Sequence, residues 1–278
     1  MKFIAALLTL FLAIVPAGFA DDEHPRPFDE NFDAMSVVDE ALAQARGEDK
    51  RVLLILGANW CHDSRGLAHH LEDPEIAALL AQNYVQRFID VGWRDQNHAV
   101  MNRFGVAAIY GTPTVFIIEP STETLLNHAE RSAWTSAASA STEAVHSYFE
   151  RWSHAYPALG GVAESSLIYQ SMMIEIDLFE EDESRRLAAA YSDIGRWRSL
   201  NADARPDNYR ALSREVDRWR GGMPGHVADL RSQARAMVVD ALLQIAGDGS
   251  ITVETVAILD ARDPDLSLDF ERHESDVW

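Results

Sequence analysis

RVLLILGANWCHDSRGLAHHL, residues Arg51–Leu71, decides how this chain is read. Val52–Leu56 is a continuous apolar run rich in branched side chains, the pattern of a strand buried on both faces of a sheet. Gly57-Ala58-Asn59 reads as a turn, and Leu67 and Leu71, four apart, mark one face of a helix. Between turn and helix stand Trp60 and Cys61, the single cysteine of the chain. A strand that turns sharply into a helix puts Cys61 at the helix N-terminus. Unpaired backbone N–H groups and the positive end of the helix dipole favour a thiolate there.

Outward from this stretch, the start of the chain reads as an export signal. Lys2 is followed by an apolar run from Phe3 to Val15, with Pro16, Gly18 and Ala20 after it. A positive start, a short apolar core and small residues predict cleavage after Ala20, giving a signal peptide over 1–20 and a periplasmic or secreted protein. No other stretch approaches the roughly 20 apolar residues that a spanning helix needs, so no membrane attachment is expected after cleavage. The chain holds 44 acidic and 24 basic residues, a formal net charge of −20. That excess argues against nucleic acid and anionic membrane surfaces as partners, since both require clustered positive charge. One cysteine leaves no internal disulfide, and in an oxidising compartment Cys61 is an unpaired thiol.

Residues 21–34 are acidic and proline-containing, a flexible lead-in. Ser36 to Asp39 has a capping-box pattern, so a helix is expected to open at Ser36 and end at Gly47. Asp73-Pro74 predicts an N-cap and a first-turn proline for a helix running to Ala81. Tyr84–Val91 reads as a strand, Gln96–Arg103 as a short helix, Thr114–Ile118 as a strand and Thr124–Asn127 as a short edge strand. Ser136–Trp152 closes the unit as a helix. This order predicts an α/β arrangement around a mixed central sheet flanked by helices, over 35–155. From 160 to 260 the pattern is helical throughout, with Gly221-Gly222-Met223-Pro224-Gly225 as punctuation, so four or five helices are expected. Residues 261–278 read as a loose acidic tail.

Trp60-Cys61-His62-Asp63-Ser64, together with Tyr110-Gly111-Thr112-Pro113 ahead of the apolar Thr114–Ile118, resembles the thioredoxin superfamily. The likeness is to exported members whose motif is Trp-Cys-x-x-Cys, and the order of elements over about 35–152 is that of the thioredoxin-like fold. The resemblance implies that Cys61 is the attacking thiol and that Thr112-Pro113 is a cis bond opposite it, with Thr112 offering its backbone to substrate. It also implies that Trp60 shields one side of the thiol.

Two departures narrow the chemistry. Ser64 stands where the resolving cysteine belongs, and a hydroxyl cannot resolve a mixed disulfide. It could still donate a hydrogen bond to the Cys61 thiolate, and a protonated His62 would stabilise that thiolate further while Asp63 opposes it. Ile55 stands where many thioredoxins place a buried acid. The catalytic set expected is therefore Cys61, Ser64 and His62, with Trp60, Thr112 and Pro113 binding substrate. No metal site is expected, because His69-His70 beside Cys61 and His62 lack recognised zinc-ligand spacing. No cofactor is expected either, since phosphate loops and dinucleotide fingerprints are absent. Two functions fit: single-cysteine thiol–disulfide exchange, isomerase-like or deglutathionylating, or a redox-inactive binding module that holds a partner protein. For the first, the partners are a client protein or a low-molecular-weight thiol or disulfide, and an external thiol that completes the reaction.

Overall fold

The computed structural model describes residues 25–30, 33–153, 161–247, 250–275 and 277; the expected signal peptide lies outside them. Strand β1 (Arg51–Gly57) is the centre of the first layer. Val52, Leu53, Leu54, Ile55 and Leu56 are all fully buried, as an unbroken apolar run requires. Because side chains alternate along a strand, Val52, Leu54 and Leu56 enter one core while Leu53 and Ile55 enter the other. β1 pairs in parallel with β2 (Tyr84–Asp90) and antiparallel with β3 (Thr114–Glu119), which pairs antiparallel with β4 (Thr124–Leu125). The result is a mixed sheet of order β2-β1-β3-β4.

Helices cover both faces. Helix α1 (Ala34–Glu48) and α4 (His98–Arg103) close the core that receives Leu54. On the opposite face lie α2 (His62–His70), α3 (Pro74–Asn83) and α5 (Thr142–Ser153), around Ile55, Leu67, Ile76 and Phe149. This is the thioredoxin-like fold over 33–153. Asp73 caps α3 through the N–H groups of Glu75 and Ile76, with Pro74 in the first turn as expected. Two boundaries differ. α1 opens at Ala34 because Asp33, not Ser36, is the cap, and the Ser36 hydroxyl donates to Asp33 at 2.9 Å. α5 opens at Thr142 because Ala137–Ser139 forms a separate 3-10 turn packed on α2. A Cβ on Gly66 of α2 would lie 2.7 Å from the Ala138 Cα, so only glycine admits that approach.

The second layer is built from two long helices, α6 (Leu167–Arg198) and α7 (Tyr209–Ala246), and the short α8 (Val253–Arg262). Among the described residues these are three α-helices, fewer than the four or five expected. α7 runs unbroken through Gly221–Gly225 with Pro224 inside it. Its buried residues Val216, Trp219, Met223, Val227 and Leu230 keep helical spacing across the glycines, so packing overrides local propensity. The segment after Arg262 is not loose. Leu266, Leu268 and Phe270 pack on the helical core, and the His273 ring stacks on Trp219 at 4.3 Å. The loop ahead of β3 joins the layers, since Ala108 and Tyr110 are part of the helical core cluster.

Candidate functional site

Cys61 is the N-cap of α2, held by its own N–H to the Ala58 carbonyl at 3.0 Å. Its side chain is only 9% exposed, and Sγ lies 3.2 Å from the Thr112 carbonyl oxygen, to which the thiol donates. The Thr112–Pro113 peptide bond is cis. The structure thus brings together β1's turn and the loop before β3, elements about 50 residues apart that the sequence had linked through the resemblance alone.

The other expected residues fall out differently. Ser64 is fully buried and its Oγ accepts the Ala58 N–H at 3.4 Å, so the hydroxyl braces the β1–α2 turn and makes no hydrogen bond to Cys61. His62 is exposed at the first position of α2. Asp63 does not face the thiol, since its carboxylate accepts the Ala138 N–H at 3.1 Å and ties α2 to the 3-10 turn. Trp60 is 40% exposed; its indole N–H donates to the Gly92 carbonyl and its ring stacks on Trp93 at 4.2 Å.

Cys61 opens into a cleft of about 310 Å³ whose walls come from both layers. Trp60, Tyr110, Gly111, Thr112 and Thr135 belong to the first, and Arg220, Gly221 and Pro224 to α7. Arg94 completes the wall from the loop after β2. That loop is tightly set: Gly92, Arg94 and Asn97 all have positive φ, the Gly92 N–H reaches Asp90 at 2.7 Å and the Trp93 N–H reaches Asp95 at 2.9 Å. Burial lowers the Arg94 pKa from its ordinary value, and the like charge of Arg220 adds to that, which leaves it a desolvated cation. Asp90, at the root of the loop, has its carboxyl pushed up by burial.

Arg94 and Arg220 were not legible as site residues. Arg94 sits between the strand expected over Tyr84–Val91 and the helix expected over Gln96–Arg103, and Arg220 immediately precedes the glycines taken as punctuation. Their signal was positional only: a cation next to a site loop, and a cation on a helix that had to pack somewhere.

A second polar cluster lies between the layers. His128, Asp177 and Glu180 bring ligand-type atoms within 4.8 Å of one another. Arg131 pairs with Glu180, and Arg231 reaches both Asp177 and Glu180 at 2.9 and 3.3 Å. Two guanidiniums already supply the positive charge these carboxylates need, so the cluster reads as an ion-pair network.

Residues 33–120 match the family model described as thioredoxin-like, a span that includes Trp60, Cys61, Thr112 and Pro113 and ends before α6. A solved structure, the crystal structure of disulphide isomerase from Xylella fastidiosa Temecula1, is similar at 27% sequence identity with a TM-score of 0.43. That similarity covers 47% of this chain and 98% of the other. No curated protein matches.

Proposed function

We propose that the thioredoxin-like domain performs thiol–disulfide exchange through Cys61 alone, after export to the periplasm or the exterior. The observation that carries this reading is the placement of Sγ: at the N-cap of α2, 3.2 Å from the backbone beside cis-Pro113, and on the wall of an open cleft. The Cys61 proton leaves to solvent, and the thiolate attacks one sulfur of a disulfide. That S–S bond breaks, its other sulfur departs as a thiolate, and a Cys61 mixed disulfide forms. An external thiolate then attacks the mixed disulfide and frees Cys61. One disulfide is consumed and one is formed, so the cycle is isomerase-like or deglutathionylating, not a net reduction. Ser64 takes no part as a resolving group, because its oxygen cannot form a disulfide.

The test is intact-mass spectrometry of the mature protein after incubation with small disulfides and with a client protein. A Cys61 adduct that disappears on adding free thiol, and is lost in Cys61→Ser, is the expected result. No adduct with any disulfide at neutral pH would sink the reading.

A redox-inactive binding module is the second reading. It is favoured by the low exposure of Cys61 and by α7 walling the cleft. It expects Cys61→Ala to retain full biological function, which the exchange reading does not.

A further inference from the structure

The cleft beside Cys61 is cationic in a chain whose formal net charge is −20. Arg94 and Arg220 both line it, with side chains only 12% and 24% exposed. Among the described residues a single carboxylate contacts the pair: Asp217 lies 3.8 Å from Arg94 and 2.9 Å from Arg220, and is itself 58% exposed. The Nε of Arg94 is buried without a hydrogen-bond partner. Arg94 is also held at a φ of 71°, a left-handed conformation that a non-glycine residue adopts at a cost of about 1 kcal/mol. Two half-desolvated guanidiniums sharing one exposed carboxylate leave the wall short of negative charge. Overall acidity does not cancel this, because screening confines distant charges to about 8 Å at physiological ionic strength.

The same wall disfavours an extended protein segment. In an exchange site the backbone before the cis proline is where an extended chain would pair. Arg220 donates to the Tyr110 carbonyl at 3.0 Å, the Tyr191 hydroxyl donates to the Ile109 carbonyl at 2.9 Å, and Cys61 occupies the Thr112 carbonyl. α6 and α7 therefore occupy the Ile109 and Tyr110 carbonyls, which leaves an extended segment little beyond Thr112 to pair with. What remains is a cleft of about 310 Å³, at the lower end of the roughly 300–1,000 Å³ that small-molecule sites span.

We infer that this cleft takes a low-molecular-weight thiol bearing a carboxylate, as its disulfide or mixed disulfide, with Arg94 and Arg220 holding the carboxylate. The assignment rests on the reading of Cys61 as the nucleophile and names its substrate. Cys61 attacks the sulfur nearer the wall, and the S–S bond breaks. The departing thiolate takes a proton from water, and the small thiol stays joined to Cys61. A second molecule of the same class of thiol then releases it as a disulfide. One disulfide and one thiol enter over the cycle and one of each leaves, with Cys61 regenerated, so no further oxidant or reductant is required.

The experiment compares three small disulfides on the mature chain: dithiodiglycolate, which is dianionic, bis(hydroxyethyl) disulfide, which is neutral, and cystamine, which is dicationic. Initial rates of Cys61 adduct formation are read by intact mass, each divided by the probe's rate with a free reference thiol. Dithiodiglycolate is expected to exceed the neutral probe by about tenfold or more, the worth of a charge-assisted hydrogen bond, with cystamine slowest. Arg94→Gln should collapse that ratio toward one and Arg94→Lys should restore part of it, with circular dichroism checking that both variants are folded. Equal rates for the three probes, or a scrambled, disulfide-bonded protein client outpacing all of them, would overturn the assignment. Should no probe label Cys61, calorimetric binding of dithiodiglycolate to Cys61→Ser decides separately. Binding that Arg94→Gln removes keeps the anion site while the exchange reading falls, and its absence ends both.

Discussion

Ser64 and Ile55 are the two departures from the dithiol motif that the sequence resembles, and each sits in a place that explains itself physically. Ser64 is fully buried three residues after Cys61, with its hydroxyl committed to the Ala58 N–H. Residues three apart in a helical first turn have Cα atoms about 5 Å apart, inside the 4.4–6.8 Å window of disulfides. Ser64→Cys is therefore expected to close an intramolecular disulfide with Cys61 under oxidising conditions, seen as loss of two hydrogens and of alkylation. Two alkylatable thiols after oxidation would contradict this. Ile55 is fully buried in the core with Phe28, Leu67 and Ile76. Truncating a buried isoleucine leaves a cavity that neighbours fill only in part, so Ile55→Ala should cost about 2–5 kcal/mol in urea unfolding. A loss well below that range would mean the core around β1 collapses freely onto the gap.

At the level of elements, helix α6 and the loop after β2 meet at a glycine. A Cβ on Gly195 would collide with the Asp95 carboxylate, and Asp95 also holds the Trp93 N–H. In an open helix interior, glycine to alanine stabilises by roughly 0.5–1 kcal/mol. Gly195→Ala is expected to reverse that sign, lowering the melting temperature and loosening the Arg94 loop; a stabilised variant would show that the two layers yield easily. This contact also marks where the sequence stops being legible. Strands, α2 and α3 follow from apolar periodicity and Asp73-Pro74, and each of those signals is local; the pairing of Cys61 with Pro113 is long-range and came from the resemblance alone. The long helix α7 was misread because glycine and proline at 221–225 are local breakers, whereas the buried stripe from Leu212 to Leu242 that overrides them is a property of packing. Asp33 displaced Ser36 as the α1 cap for a similar reason: both can cap, and only geometry chooses. Arg94 and Arg220 approach one cleft from residues 126 positions apart, and no spacing rule reaches that far.

At the scale of the whole molecule, the two layers are joined through a buried polar seam that ties docking to pH. Arg131 pairs with Glu180, whose other partners are the Tyr110 hydroxyl at 2.9 Å and Arg231, and both members of the Arg131–Glu180 pair are almost wholly buried. Burial pushes the Glu180 carboxyl up, but the charge and hydrogen bond of Arg131 outweigh it and hold Glu180 below its ordinary value. His128, beside this pair, is held below the ordinary histidine value by burial and by Arg131, and accepts from Arg131 at Nδ1, so it is neutral in the fold. His98 is lowered by burial alone, with both ring nitrogens buried and without a hydrogen-bond partner. All three groups bind protons less readily folded than unfolded, so all three contribute stability that is lost on acidification. For the histidines it is complete above about pH 6.5 and falls as pH drops through their lowered folded values; for Glu180 it is complete above about pH 4.3 and falls below that. Thermal melts are expected to show a decline that begins under pH 6.5, with a further drop under pH 4.3. His128→Gln, which cannot take up the proton, should flatten part of the upper decline. Glu180→Gln should lower stability at neutral pH by about 3–5 kcal/mol, because it strands the buried Arg131 charge, and should lessen the lower drop. A melting temperature independent of pH between about 6.5 and 5 would mean that these histidines reach solvent, and the seam would then be looser than its burial implies.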